Sequence, residues 1–258
     1  MHPLLLKIGF LKLHTYGLMI VIGFLFGLYL VYNQAKREGL NAERVVDLSF
    51  WGLFMGLIGG RMVYIMTRFE YFSDHLIEIL YFWEGGLVFY GGFAGGVFAF
   101  WYFSKKYKLP TLKVMDLAVP SLAIAHFFGR LGCFFAGCCF GKPAPGLPWG
   151  VTFTDPLSLA PPGVLLHPAQ IYDALNALVI FAVTMFMRKR KKFTGQLLVT
   201  YMLLYSIGRS IVEIYRGDSI RGFVIDPWLS TSQFFSIFTF LGSIYLWNYW
   251  SKKYPLKG

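Results

Sequence analysis

The segment HTYGLMIVIGFLFGLYLVYNQ, His14 to Gln34, decides the fold class because it contains no Asp, Glu, Lys or Arg. About 20 predominantly apolar residues are enough for an α-helix to cross a hydrocarbon core of roughly 30 Å. No small-residue cleavage site follows the segment, so we expect a retained helix and not a removed signal peptide. The segment therefore predicts a membrane-spanning helix.

The composition of the whole chain agrees with this prediction. Of its 258 residues, 56% are hydrophobic and only 14% are charged, whereas about a quarter of the residues of a soluble domain are charged. The net charge of +11 would suit nucleic acid, but most basic residues lie in short runs between apolar stretches. Such runs set the orientation of membrane proteins, so we expect membrane lipids as partners and no nucleic acid.

Six further segments resemble the first in length and hydropathy: 46–66, 86–104, 113–132, 169–187, 195–215 and 230–250. Together they predict an all-α, polytopic integral membrane protein of seven transmembrane helices. We expect one domain over residues 1–258, with outer loops at about 67–85, 133–168 and 216–229.

The basic residues predict the orientation of these helices. Fifteen of the 24 Lys and Arg residues lie after the first, third and fifth segments and in the tail: Lys36, Arg37, Arg44, Lys105, Lys106, Lys108, Lys113, Arg188, Lys189, Arg190, Lys191, Lys192, Lys252, Lys253 and Lys257. Cytoplasmic loops carry the excess of basic residues. We therefore expect the N-terminus outside and the C-terminus in the cytoplasm.

Three arginines, Arg61, Arg130 and Arg209, lie within predicted helices or at their outer ends. A charge there is costly unless it faces a polar cavity or a partner. A guanidinium matches the paired oxygens of a phosphate, so the three predict an anion pocket for a phospholipid head group. Polar residues expected at the same depth are His14, Tyr16 and Tyr90. The alternative is that each arginine extends to the interface or caps a helix end.

All three cysteines occur in the stretch GRLGCFFAGCCFG, Gly129 to Gly141. The C-x4-C-C pattern of Cys133, Cys138 and Cys139 lacks ordinary zinc spacing, so we expect no metal site. A disulfide from Cys133 to Cys138 or Cys139 would suit an oxidising compartment. Burial as small apolar residues is the other interpretation.

Glycines in YGGFAGG, Tyr90 to Gly96, follow small-xxx-small spacing, as do those near Gly56 and Gly59. This spacing lets helix backbones touch, and it predicts close packing of two helices. A ligand beside Gly91 and Gly92 is the second interpretation.

Several motifs in order along the chain resemble the bacterial prolipoprotein diacylglyceryl transferase family. They are HTYGLM (14–19), GGR (59–61), YGGFAGG (90–96), GRLGCFFAGCCFG (129–141), HPAQIYDA (167–174), YSIGRSIVEIYRGD (205–218) and STSQFFSI (230–237). The resemblance implies a multi-pass enzyme of the inner membrane that needs no cofactor. It would move diacylglyceryl from phosphatidylglycerol to the lipobox cysteine in the signal peptide of a prolipoprotein, and the outer loops would be periplasmic.

The resemblance also implies roles for individual residues. Arg130 and Arg209 match arginines that hold the lipid phosphate, and the expected catalytic set adds Tyr16, Tyr90 and Tyr205. The expected substrate-binding set is Arg130, Arg209, Arg61, Gly91, Gly92, Cys133, Gly141, Glu213, Arg216, His167 and Gln170. We also expect an ion pair from Arg209 to Glu213, four residues on.

This chain departs from the family pattern at three positions. Cys133 replaces Asn, Cys138 replaces Glu, and Tyr90 replaces a histidine proposed as a base. His126 and His14 are candidates for that missing histidine. Two other functions stay open, a phosphatidylglycerol-using transferase with another acceptor and a non-enzymatic transporter or binding protein for anionic lipids.

Overall fold

The computed structural model describes residues 2–8, 11–81, 85–218, 222–226 and 228–256, although the side chains of residues 8, 11 and 12 are not described. The chain is mostly helical. It divides into two compact units, one of Met1–Leu30 with Asp116–Gly258 and the other of Val31–Met115. The expectation of a single domain stays a prediction.

Seven helices in the described ranges have 18 residues or more. The helices, including one short one, are α1 Thr15–Arg37, α2 Ala42–Thr67, α3 Phe69–Asp74, α4 Phe89–Lys106, α5 Thr111–Ala136, α6 Ala169–Met187, α7 Gln196–Tyr215 and α8 Thr231–Lys253. The boundaries of the seven long helices lie within four residues of the seven predicted segments. Among the described residues, five helices are long and apolar enough to cross a membrane: α1, α2, α5, α6 with the turn to Arg190, and α7.

In the unit Val31–Met115, helices α2 and α4 pack closely through their glycines. A Cβ atom added to Gly59 would overlap the carbonyl oxygen of Gly91, and one added to Gly95 would overlap the carbonyl oxygen of Met55. Only glycine permits so close an approach of two backbones. The predicted packing through small residues is confirmed here.

In the other unit, buried Asp116 of α5 fixes the start of α7. Its carboxylate accepts hydrogen bonds from the backbone N–H groups of Gly195, at 2.9 Å, and Leu198, at 3.0 Å. An anion at this end satisfies unpaired N–H groups and complements the helix dipole. Helix α7 also packs against α6 and α8, so its polar side chains have fixed neighbours on both.

Short antiparallel strands accompany the helices of this mostly helical chain. They pair as β1 Leu4–Ile8 with β2 Leu11–His14, β3 Val151–Thr152 with β4 Leu165–Leu166, and β5 Phe223–Ile225 with β6 Leu229–Ser230. Each pairing satisfies backbone groups that a loop would leave to water. His14 therefore ends a strand and does not begin the first helix.

Two predicted outer loops also contain regular structure. The segment 67–85 includes α3 and a 3-10 helix at Leu76–Leu80, and the first residues of the segment 133–168 continue α5 to Ala136. Hydropathy alone missed these helical turns because they are short or partly polar. Arg221, within the predicted outer loop 216–229, and Lys257, in the tail, lie outside the described residues.

Candidate active site

Arg130 lies near the end of α5 and pairs with a carboxylate of α6. Its Nε atom is 2.9 Å from Asp173 Oδ2 and donates to His126 Nε2 at 3.1 Å. Asp173 is almost fully buried, and a buried charge of this kind is stable only with a partner. Because both contacts use Nε, the two terminal amino groups of Arg130 are not needed for them. The same guanidinium can thus be positioned by protein and still offer a pair of donors to an anion.

Arg209, on α7, is also buried and is held from two sides. Its Nη2 atom is 2.7 Å from Glu213 Oε2, one turn further along, and donates to Ser232 Oγ of α8 at 3.0 Å. The predicted ion pair with Glu213 is confirmed. Arg209 Nη1 is buried and has no hydrogen-bond partner among the described residues. An unsatisfied buried donor is costly, so this nitrogen is suited to an added acceptor.

Tyr205 lies in the same electrostatic environment as the two arginines. It interacts electrostatically with Asp173, Arg209 and Arg130, and the centres of its ring and the His126 ring are 5.7 Å apart. His126 in turn interacts with both guanidinium groups. Arg130, Arg209, Tyr205 and His126 therefore belong to one polar site inside a mainly apolar helical unit.

The end of α5 brings the three cysteines together. Gly137 has a φ of +72°, and the N–H groups of Gly137 and Cys138 donate to Phe134 O at 3.2 Å and Cys133 O at 3.1 Å. These two bonds form a Schellman motif, which places the residue after the glycine against the residue five positions earlier. All three thiols are free, and their Sγ atoms lie within 4.8 Å of one another.

The two loop thiols differ in their tendency to ionise. Hydrogen bonds with the thiols of Cys133 and Cys138 lower the pKa of Cys139, and Arg130 and Arg216 act in the same direction. Hydrogen bonds with Cys133 and Cys139, together with burial, raise the pKa of Cys138. If one of the two ionises, Cys139 carries the negative charge.

The chain after the cysteines is bound to the end of α7. Gly141 N–H donates to His167 O at 3.1 Å, and Gly217 N–H donates to Phe140 O at 3.1 Å. Any side chain on Gly141 or Gly217 would overlap neighbouring backbone atoms. This close contact explains glycine at Gly141 by packing, and its predicted role toward the substrate stays a prediction.

Arg216 binds Asp218 through two hydrogen bonds, one of them from Nε to Oδ1 at 2.9 Å. Asp218 was not in the predicted set, and the paired oxygens of its carboxylate match the guanidinium fork of Arg216. Arg216 also interacts with Cys139. It therefore lies at the edge of the cysteine cluster with its fork already engaged by protein.

His167 and Gln170, at the start of α6, have structural partners. Gln170 Nε2 donates to Cys138 O at 2.8 Å, and His167 Nδ1 is 3.2 Å from the Tyr172 hydroxyl. A mainly apolar groove of about 410 Å³ lies beside them, lined by Trp149, His167, Tyr172, Asn176, Gly208, Ile211, Val212 and Tyr215. This groove between α6 and α7 is large enough for part of an acyl chain or an apolar peptide segment.

The remaining predicted residues lie elsewhere. Tyr16 is partly exposed and interacts with Cys133 and Arg130, so it borders the polar site. His14 is exposed in β2. Tyr90, Gly91 and Gly92 are in α4 of the other unit, where Tyr90 is half exposed. Their predicted meeting with the arginines of the first unit stays a prediction.

Arg61 is likewise in the unit Val31–Met115. It donates from Nε to Ile79 O at 3.0 Å, from Nη1 to Gly85 O at 2.8 Å, and from Nη2 to Glu78 O. Nη1 also donates to Gly86 O at 3.5 Å, so four backbone carbonyls accept from one buried guanidinium. This arrangement fixes the segment after α3, and a role in lipid binding stays a prediction.

Asp173 and Ser232 belong to the site but were not in the predicted set. Asp173 had a sequence signal, since a carboxylate inside an apolar helix requires a partner. Ser232 had none, because a serine near a helix start is common as a cap. Only the packing of α7 against α8 places its hydroxyl beside Arg209.

Comparison with known proteins identifies relatives of the whole chain. A family model described as prolipoprotein diacylglyceryl transferase matches residues 3–249. A phosphatidylglycerol–prolipoprotein diacylglyceryl transferase of Clostridium tetani is 40% identical over 249 residues, covering 96% of this chain and 97% of the relative. Transferase 2 of the same description from Clostridium perfringens is 36% identical, covering 92% and 91%. The corresponding protein of Clostridioides difficile is 33% identical with the same coverage.

Proposed function

Because the chain belongs to the prolipoprotein diacylglyceryl transferase family, we propose that it transfers diacylglyceryl from phosphatidylglycerol to the lipobox cysteine of a prolipoprotein. The observation that carries this proposal is the buried Nη1 donor of Arg209, which has no partner among the described residues and which shares an electrostatic environment with Arg130. A lipid phosphate supplies the acceptor that this donor lacks.

The reaction exchanges one bond at the lipid glycerol for another. The acceptor sulfur attacks the glycerol carbon that bears the phosphate, the C–O bond breaks, and a C–S bond forms. Glycerol phosphate leaves with the bonding electrons, and the thiol proton ends on the leaving group or on water. The product is a thioether and needs no redox partner.

The two arginines have complementary roles in this proposal. Arg130, oriented by Asp173 and His126, and Arg209, oriented by Glu213 and Ser232, hold the phosphate from two helices. Negative charge grows on the phosphate as the C–O bond breaks, and fixed donors aimed at that charge lower the barrier. Tyr205, whose hydroxyl interacts electrostatically with both arginines, would add a third donor.

The acceptor sulfur must lose its proton in the same site. A free cysteine thiol has a pKa of about 8.5, and nearby guanidinium groups favour the thiolate. Binding beside the arginines therefore prepares the acceptor without a strong base. Tyr90, His126 and His14 remain candidates for accepting the proton, and Tyr16 is a candidate for positioning the lipid.

The membrane arrangement follows the same proposal. Seven spans, an outer N-terminus and a cytoplasmic C-terminus would place the ends of α5 and α7 on the periplasmic side of the bacterial inner membrane. There the polar site is at the depth of lipid head groups. The apolar groove between α6 and α7 then offers a lateral place for an acyl chain or the signal peptide.

The test is transfer of labelled diacylglyceryl from phosphatidylglycerol to a lipobox peptide by purified protein in lipid micelles. Arg130→Lys and Arg209→Lys keep the charge beside Asp173 and Glu213 but remove the fork, so we expect a large fall in kcat with retained folding. Arg37→Ala, which removes an exposed arginine at the end of α1, is the matched control and should transfer at the rate of the wild type.

The acceptor is tested with a peptide in which serine replaces the lipobox cysteine, and the donor with phosphatidylethanolamine. Transfer to the cysteine peptide from phosphatidylglycerol alone supports the proposal. Binding of phosphatidylglycerol without transfer to the cysteine peptide would reject it in favour of another acceptor or a lipid-binding role.

A further inference from the structure

The three thiols at the end of α5 form a second chemical feature, which the transfer reaction does not use. Cys133 is buried, whereas Cys138 and Cys139 are partly exposed. Their sulfur atoms lie within 4.8 Å of one another. Three sulfurs about 2.3 Å from one central ion are separated from each other by about 4.0 Å in a trigonal arrangement. The cluster therefore needs only small side-chain movements to surround an ion.

The backbone, and not chance contact of side chains, assembles this cluster. The Schellman motif after Ala136 directs Cys138 back onto Cys133, as expected for the residue pair that such a motif brings together. Cys139 has a φ of +56°, a left-handed conformation that is strained for a residue with a side chain. A strained backbone of this kind persists where the surrounding structure requires it. Here the left-handed conformation places the Cys139 sulfur beside those of Cys133 and Cys138.

The loop that carries the thiols is also held from outside. Buried Gln170 donates through Nε2 to Cys138 O at 2.8 Å, and Leu159 N–H donates to Ala136 O at 3.2 Å. Arg130 interacts with Cys133 and Cys139, and Arg216 interacts with Cys139. The backbone that carries the sulfurs is therefore held in place before any ligand binds, and the sulfurs interact with two cationic side chains.

The donor set selects the kind of ion. Thiolate sulfur favours soft ions such as Cu(I) and Zn(II). Structural zinc almost always takes four ligands, but among the described residues this group contains no fourth cysteine, histidine or carboxylate. A three-sulfur site matches the low coordination number of Cu(I). The C-x4-C-C spacing does not resemble a zinc motif. The three sulfurs are close together because the chain turns back at the end of α5.

We propose that Cys133, Cys138 and Cys139 bind one Cu(I) ion through three thiolates. On binding, three Cu–S bonds form, three S–H bonds break, and three protons pass to the solvent. Copper stays Cu(I) and nothing is oxidised. The charge of the loaded cluster is −2, and Arg130 and Arg216 are the cations nearest to offset it.

The experiment titrates the full-length, reduced protein in detergent with Cu(I) under anaerobic conditions, in the presence of the chelator bicinchoninate. The thiol content of the unfolded sample is measured first, so that only protein with three free thiols is titrated. We expect one Cu(I) per chain to survive gel filtration, and X-ray absorption to show three sulfur neighbours. Binding should raise the Tm of the wild type.

The variant Cys138→Ser should lose more than about 100-fold of the Cu(I) affinity, since removal of supporting partners alone costs 10–100-fold at metal sites. It should also lose the rise in Tm on addition of Cu(I). Ser158→Ala changes the neighbouring loop without removing sulfur and is the matched control, which should bind like the wild type. A Cys133→Ser variant provides a second ligand change if Cys138→Ser folds poorly.

The proposal would be overturned if the reduced, folded protein retained no Cu(I), if the cysteine variants retained as much as the wild type, or if X-ray absorption showed only two sulfur neighbours. Retention of Zn(II) in preference to Cu(I) would also reject it. None of these readouts depends on diacylglyceryl transfer, so the copper proposal and the transfer proposal fail separately.

Discussion

Arg61 and Arg209 are alike in sequence terms, since both are arginines inside predicted membrane helices, and both are almost fully buried, with 5% and 6% of their surface exposed. Their partners differ. Arg61 donates to four backbone carbonyls, those of Glu78, Ile79, Gly85 and Gly86. Arg209 instead binds two side chains and keeps Nη1 without a partner among the described residues.

This difference separates two uses of a buried charge. The carbonyls around Arg61 are neutral and belong to a turn that needs donors, so that guanidinium stabilises the local fold. Glu213 and Ser232 contact one nitrogen of Arg209, and Nη1 is the donor that the proposed phosphate contact requires. Burial and charge alone therefore do not separate these two arginines, whereas the distribution of their donors does.

The largest effect is expected for Arg209→Ala. Loss of a donor aimed at developing charge lowers kcat by about 10²–10³-fold, and an apolar cavity would replace the guanidinium. Because Glu213 would be left as a buried charge, Arg209→Lys is made beside it to preserve the charge. We expect Lys to recover folding but only a small part of the turnover. Full turnover by a well-folded Arg209→Ala would remove the arginine from the reaction.

Asp173→Asn tests how much the ion pair with Asp173 stabilises the buried guanidinium of Arg130. Breaking a buried pair by neutralising one member costs about 3–5 kcal/mol, and the free energy of unfolding should fall by roughly this amount. A lipid phosphate can replace the lost carboxylate, so phosphatidylglycerol should raise the Tm of this variant more than that of the wild type. Thermal unfolding in micelles with and without the lipid measures both effects. An equal rise in Tm for variant and wild type would contradict the predicted phosphate contact.

Arg61→Ala tests the other side of the comparison. It leaves the carbonyls of Glu78, Ile79 and Gly85 without their donors, and a buried unsatisfied group costs about 1–3 kcal/mol. We expect a lower Tm and increased proteolysis after α3. The KM for phosphatidylglycerol distinguishes a structural role of Arg61, which leaves KM unchanged, from a role in lipid binding, which raises it. A raised KM with an unchanged Tm would favour the sequence prediction that Arg61 holds lipid.

The helices could be predicted from the sequence because bilayer thickness fixes their length and composition. The hairpin of β1 and β2 could not, since short strands carry no long-range hydropathy signal. In the site, Arg209 and Glu213 could be paired because they are one helical turn apart. Arg130 and Asp173 could not, because their contact depends on the rotation and relative height of α5 and α6. The cysteine cluster depends in the same way on a left-handed residue after a helix end, which spacing alone does not reveal.

The smallest effect is expected for His126→Gln, although His126 accepts a hydrogen bond from Arg130 and lies 4.0 Å from Asp173 Oδ1. Arg130 Nε donates to His126 Nε2, so this nitrogen already has its lone pair engaged and is poorly placed to accept a thiol proton. A glutamine oxygen can accept the same hydrogen bond. Turnover should therefore stay within about threefold of the wild type, well below the 10²–10⁴-fold that general bases contribute, with the same pH profile between pH 6 and 9. If the variant instead lost the rising limb of that profile, His126 would be the base. Arg130 would then have to break its hydrogen bond to His126 Nε2 when the lipid binds.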